Sequence, residues 1–275
     1  MLLLAKDFTM KICYILLVGA TLATACSPST STEPPETTTE TVENPPAPGF
    51  NAAASDERAM QLADQVMQAM GGRTAWDTTR YFQWNFLGFR TLLWDKQTGD
   101  VRIEVPGDSA IYAINVQDDT GKVRLKGEEI TQPDSLAKYV QRGKEIWIND
   151  SYWLFMPFKL KDSGVTLTYQ GEDTLMGGSP AEVLEMRFDG VGVTPQNKYE
   201  VYVDPEDHLV KQWAFYPEAT MDTPRFVLPW NDYQTYGSLK LGGDRGERDI
   251  SDIQVLENVP SAMFEEVSSF ELGSM

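Results

Sequence analysis

The sequence predicts a mainly β (α+β) domain in which a large curved antiparallel sheet, a half-barrel, wraps over helices. Three observations lead there. The apolar residues after about position 80 recur with period two, the mark of half-buried strands. Turn residues punctuate them every few positions, so the strands join as hairpins and are antiparallel. Two stretches revert to period 3.6, and about ten or eleven strands cannot stay flat. A sheet of that size curls, splits or closes. Helices at its start and in its middle favour a half-barrel with its concave face filled.

The first helical stretch is Ser55 to Met70, where Ala59, Leu62, Ala63, Val66 and Met70 share one stripe. Ser55 is placed to cap it, Asp56 and Glu57 suit the positive end of its dipole, and Gly71-Gly72 ends it. Alternation begins at Phe82, Trp84 and Phe86. Leu92 to Trp94 turns through Asp95 to Gly99 into Val101, Ile103 and Val105, with Gly99 at the left-handed position. Ala110 to Val116 and Val123 to Leu125 repeat the device around Asp118 to Gly121. Pro133 to about Trp147 is helical again, with Leu136, Val140, Gly143 and Trp147 on one side. A meander follows: Val165 to Tyr169, Leu184 to Phe188, Tyr199 to Val203, Leu209 to Tyr216, Arg225 to Leu228, Tyr233 to Leu241 and Ile250 to Leu256.

The N-terminus is of a different kind. Lys11 precedes the apolar run Ile12 to Gly19, small residues follow, and then Cys26. A basic start, a short apolar core and a small-residue cleavage site describe a secretory signal; a spanning helix needs about 20 apolar residues. Leu22-Ala23-Thr24-Ala25-Cys26 resembles the bacterial lipobox. That resemblance implies removal of residues 1–25 and lipidation of Cys26, which would hold the mature protein on a membrane. Ser27 after the Cys leans, by analogy with sorting signals, towards a periplasm-facing outer-membrane lipoprotein. Residues 26–54 are rich in Ser, Thr, Pro and Glu and bury too little to repay ordering, so a disordered tether is expected, with a reach of roughly 30 Å. Residues 55–275 suit one globular domain.

Composition removes several functions. The cysteines are Cys13 in the signal and Cys26, so the mature domain has no disulfide, thiol nucleophile or Cys metal site. A net charge of -18 argues against nucleic acid and against an anionic membrane surface as partners. The single histidine, His208, follows Pro205-Glu206-Asp207 in a tight turn and reads as solvated. No zinc ligand set, nucleophile elbow or phosphate-binding loop is present, and no cofactor is implied. Asp204, Glu206 and Asp207 read as a plain acidic turn, with calcium as the alternative. An enzyme is therefore not expected.

The most unusual stretch is IWINDSYWLFMPFKL, Ile146 to Leu160. Nothing so apolar belongs in an exposed loop, so it packs against the sheet. Either it plugs the core, or its Trp147, Tyr152, Trp153, Phe155 and Met156 line an apolar cavity with Phe82, Trp84, Phe86 and Trp94. Asp150 and Lys159 bracket the aromatics as a local pair or as helix-end contacts.

The helix–meander–helix–meander order, the lipobox and this aromatic segment resemble bacterial lipoproteins related in fold to the LolA, LolB and LppX carriers. The resemblance is architectural, over about residues 55–260, and no residue maps onto a functional position of those carriers. It implies a curved sheet that holds acyl chains against helices. The expected function is thus a non-enzymatic, lipid-anchored envelope protein that binds a lipid or the acyl chains of a lipoprotein. An envelope interaction protein with a filled core is the alternative, and a carboxylate-dependent hydrolase a weaker one.

Overall fold

A computed structural model of the chain describes residues 44–269. Cys26, the signal segment 1–25 and residues 27–43 lie outside the described residues. The domain begins with α1 (Glu57–Ala69) and the short α2 (Arg73–Thr78). A meander of β1 (Tyr81–Phe86), β2 (Arg90–Asp95), β3 (Asp100–Val105), β4 (Ala110–Asn115), β5 (Thr120–Leu125) and β6 (Glu128–Glu129) then leads into α3 (Pro133–Phe155). A second meander, β7 (Val165–Thr174), β8 (Pro180–Phe188), β9 (Lys198–Val203), β10 (Val210–Tyr216) and β11 (Phe226–Pro229), follows α3. The hairpin β12 (Asn231–Tyr236) and β13 (Leu239–Asp244) leads to β14 (Ile250–Leu256) and α4 (Ala262–Glu265).

The expected antiparallel surface is present, divided among sheets and not closed into a barrel. β14 returns to pair with β1 at the edge of a seven-stranded sheet, a five-stranded sheet runs β11-β10-β9-β8-β7, and the β12-β13 hairpin forms a two-stranded sheet. The hairpin touches both β10 and β14 and so links the two larger sheets. One apolar core joins the inner faces of all three with α1 and α3. In β1, Phe82, Trp84 and Phe86 point into it, with Phe82 opposite Trp94 and Trp84 opposite Leu92 in the neighbouring strand.

Four details differ from the sequence reading. The tether boundary at residue 54 is corrected to residue 44 at the latest: Asn44 Nδ2 donates to Asp64 Oδ1 at 2.8 Å, Ala47 N to Lys161 O and Asn51 N to Val165 O at 2.9 Å each, and Phe50 packs on the core. These backbone bonds add residues 44–54 to the side of β7. Ser55 does not cap α1; its Oγ accepts from Leu167 N at 3.0 Å, and Asp56 accepts from Tyr169 N at 2.8 Å. The stretch Tyr233 to Leu241 is two strands, because Gly237 at φ 60° turns the chain back on itself. The mid-chain helix does not stop near Trp147 but continues to Phe155, where a 3₁₀ turn with Pro157 ends it.

Two glycines lie where another element approaches closely. A Cβ on Gly71 would lie 2.2 Å from Ser238 O, so only glycine lets α1 end against the β12-β13 turn. On α3, a Cβ at Gly143 would meet Ile114 Cδ1 at 2.8 Å and the Tyr112 ring at 3.1 Å, so this helix lies nearly on β4.

Candidate functional site

The aromatic residues of α3 diverge according to their angle on the helix. Phe155 turns into the first sheet, edge-on to Phe82 at 4.8 Å and Trp84 at 5.4 Å. Trp153 stands between the sheets, edge-on to Phe86 of β1 at 5.8 Å and Trp213 of β10 at 5.0 Å. Tyr152 turns to the second sheet, 5.4 Å from Tyr199 and 6.1 Å from Phe188. Trp147 meets Trp94 at 5.4 Å. Such tilted and edge-on pairs follow the ring quadrupole and add about 0.5–1.5 kcal/mol each beyond area burial. The helix thereby clamps both sheets.

Packing is not complete along it. A cavity of about 340 Å³ lies beside the second half of α3, walled by Trp76, Trp94, Trp147, Tyr152, Phe155 and Val165 among others. Lys159 and Asp162, paired with each other, and Ser163 supply polar wall. A second cavity of about 400 Å³ has Arg90, Arg142, Glu145, Asn149, Trp153 and Tyr199 in its wall. Ile148, Tyr152, Phe188, Val191 and Gly192 line both, so the two abut along one side of the helix. Both volumes fall within the range of small-molecule sites.

The structure sorts the nine aromatic and Met residues singled out from sequence into two groups. Trp94, Trp147, Tyr152, Trp153 and Phe155 form cavity wall. Phe82, Trp84, Phe86 and Met156 are buried in the packed core and line neither cavity. They hold the wall residues in place: Phe82 and Trp84 fix Phe155, and Phe86 fixes Trp153.

Sequence reasoning missed the polar part of the wall and the loop over it. Asp150 is neither at a helix end nor paired with Lys159. Its side chain is 0% exposed and accepts two hydrogen bonds from Arg90 of β2, Nε to Oδ2 at 2.5 Å and Nη2 to Oδ1 at 2.8 Å. Asn149 Nδ2 adds a third at 2.9 Å. Burial raises the Asp150 carboxyl above its ordinary range, and Arg90 opposes that shift. An Asp inside an otherwise aromatic run was the available signal, since a carboxylate there needs a cation from elsewhere. The loop between β8 and β9 carries Gly190 and Gly192 at positive φ with Val191 between them, and so lays an apolar side chain over both cavities. The wall tyrosines are neutral hydroxyls: burial pushes Tyr199 up to about 12 and Tyr152 well above its usual value.

The acidic turn is self-contained. Asp204 Oδ1 accepts from Glu206 N at 2.8 Å, and Asp207 pairs with Lys211 at 2.6 Å. His208 lies in that turn at φ 55° and lines neither cavity. No group of three metal-ligating side chains occurs among the described residues.

No protein-family model and no curated protein sequence matches this chain. Solved structures do. A DUF1329 family protein from Desulfovibrio piger is 15% identical, with a TM-score of 0.43, over 76% of this chain and 98% of that one. A putative outer membrane lipoprotein-sorting protein domain from Vibrio parahaemolyticus is 12% identical, with a TM-score of 0.39, over 76% and 96%. A LolA superfamily protein from Nitrosomonas europaea is 11% identical, with a TM-score of 0.37, over 76% and 97%. The architecture of this chain is the open antiparallel one described above.

Proposed function

We propose that this is a lipid-anchored, non-enzymatic protein of the bacterial envelope that holds an apolar ligand, a lipid or the acyl chain of a lipoprotein, between α3 and the sheets. The observation that carries this reading is the cavity of about 340 Å³ beside a helix whose aromatic residues face both sheets. A space of that volume, walled by three tryptophans, a tyrosine and two phenylalanines, suits a chain of methylenes. Each buried methylene contributes about 0.8 kcal/mol, so ten give roughly 8 kcal/mol, the equivalent of micromolar binding before ordering costs are subtracted.

In this reading residues 1–25 are removed, Cys26 carries the lipid, and residues 27–43 tether the domain to the outer membrane on its periplasmic side. Cys26→Ala then leaves an unlipidated precursor; a mature, detergent-requiring membrane species from that variant contradicts the anchor. For the cavity, the test is mass spectrometry of lipids extracted from the natively purified protein. About one chain-bearing lipid per protein molecule is expected. Lipid-free protein that also takes up none when offered it leaves the interaction-protein reading standing, with Phe82, Trp84, Phe86 and Met156 showing how a filled core looks.

A further inference from the structure

We infer that the ligand is an anionic single-chain amphiphile, with its tail in the aromatic cavity and its carboxylate or phosphate in the neighbouring cavity against Arg90 and Arg142. This rests on the apolar-binding reading and adds a headgroup to it. The two cavities share Tyr152, Phe188, Val191 and Gly192 but differ in chemistry. One is walled mainly by rings and aliphatic groups; the other adds two arginines, a glutamate and two asparagines to rings and aliphatic groups of its own. That division of apolar and polar ends is the division within an amphiphile.

Arg90 is built for the task. Asp150 takes its Nε and one Nη2 hydrogen, and the Phe86 ring lies 4.9 Å from the guanidinium carbon. One edge of the fork is therefore locked, while its Nη1 amino group makes no hydrogen bond among the described residues and the side chain keeps 21% exposure. A guanidinium held this way presents its remaining donors without first losing rotamer freedom. Arg142 is 62% exposed and faces Glu145 at 3.6 Å, too far for a hydrogen bond, so its donors are available to an incoming oxyanion. The chain as a whole carries -18, and Asp150 and Glu145 offset the two arginines locally. The anion is thus recognised by directed N–H donors and not by a general positive field. A cationic headgroup would meet two guanidiniums, and a neutral one would leave their donors without a charged acceptor.

The test is a titration of the full chain with four 12-carbon amphiphiles, below their micelle concentrations and read by tryptophan emission. They are dodecanoate, monolauroylglycerol, dodecyltrimethylammonium and lauroyl-lysophosphatidylglycerol. One or both anions should bind about tenfold more tightly than the glyceride, as charge-assisted hydrogen bonds allow. Dodecanoate alone marks a free fatty acid as the source, the lysolipid alone a phospholipid, and both a shared oxyanion site. Arg142→Gln should remove the preference, weakening the anions far more than the glyceride. Glu145→Gln should tighten the anions more than the glyceride, a gain that structural damage does not produce. Arg90 is tested as the paired change Arg90→Gln with Asp150→Asn, which leaves no unpaired buried charge. Equal affinity for all four, preference for the cation, or an unaltered preference in Arg142→Gln overturns the headgroup and leaves apolar binding intact. Binding of none overturns both.

Discussion

Arg90 and Asp150 are 60 residues apart and form a two-pronged ion pair, at 2.5 and 2.8 Å, that ties the start of β2 to the second half of α3. Asp150 is fully buried and Arg90 only partly so, which makes the two partners unequal. Arg90→Met strands a buried carboxylate and should cost about 3–5 kcal/mol. Asp150→Asn leaves an arginine that can reach solvent and should cost clearly less. Burial already raises the Asp150 carboxyl, and removing Arg90 raises it further. A carboxyl raised in the folded state binds its proton more tightly there, so its contribution is present at acid pH and lost as pH climbs through the raised value. Urea midpoints should therefore show a small Arg90→Met deficit near the ordinary carboxylate range and a larger one at alkaline pH. A deficit that does not change with pH would remove Asp150 as its source.

Arg245 is a second buried cation, and it acts on the same helix. Its guanidinium lies 3.6 Å from the Trp230 ring centroid, and its Nη2 donates to Trp153 O at 2.6 Å and Gly242 O at 3.0 Å. It thereby serves a carbonyl in the last turn of α3 that has no helical partner. Arg245→Lys keeps the charge but loses the planar stack and the fork. A loss of at least about 2 kcal/mol is expected, or roughly 4–8 °C in the melting midpoint for a domain of this size. A melt within a degree of the parent would show that charge alone suffices.

At Gly143 two effects oppose each other. Alanine gains about 1 kcal/mol of helix propensity and meets Ile114 Cδ1, the far end of a side chain that can move. Gly143→Ala should be close to neutral. Gly143→Leu has no room against the Tyr112 ring and should destabilise by more than about 2 kcal/mol. Equal melting curves for the two would mean that α3 does not lie as close to β4 as found.

The N-terminal boundary is open to a truncation series. A chain starting at Asn44 should melt within a few degrees of the mature protein, and one starting at Ser55 clearly lower. The second loses the Ala47 and Asn51 backbone bonds and the Phe50 contact. Identical curves would restore residue 55 as the start of the fold.

These cases show why some of the molecule was legible in sequence and some was not. The first helix and most strands carry their own pattern: Ala59, Leu62, Ala63, Val66 and Met70 are all buried, as are Phe82, Trp84 and Phe86. The second half of α3 was not legible because its buried stripe is Ile146, Asp150, Ser151, Leu154 and Phe155. Two polar residues interrupt the apolar period, and one is tolerated only because Arg90 arrives from another element. β12 is largely exposed and so carries no alternation, although Leu239 and Leu241 of β13 are buried. Arg102, fully buried, donates to Met263 O at 3.2 Å and Glu266 O at 2.7 Å and so docks the C-terminal segment on the outer face of β3. Nothing local in the sequence signals that cover. The aromatic surplus marks α3, whose rings line the two cavities, but a list of rings does not distinguish wall from packing.

The most direct test of the central claim is titration of the full chain with a fluorescent fatty acid, beside a Ser151→Trp variant. Ser151 lies in the wall of the aromatic cavity, and an indole there occupies space that a chain would need. Saturable micromolar binding, with energy transfer from tryptophan, is expected for the parent, and its loss in a Ser151→Trp protein that still melts cooperatively. No saturable binding by the folded parent, or undiminished binding by the filled variant, would contradict the cavity as the ligand site.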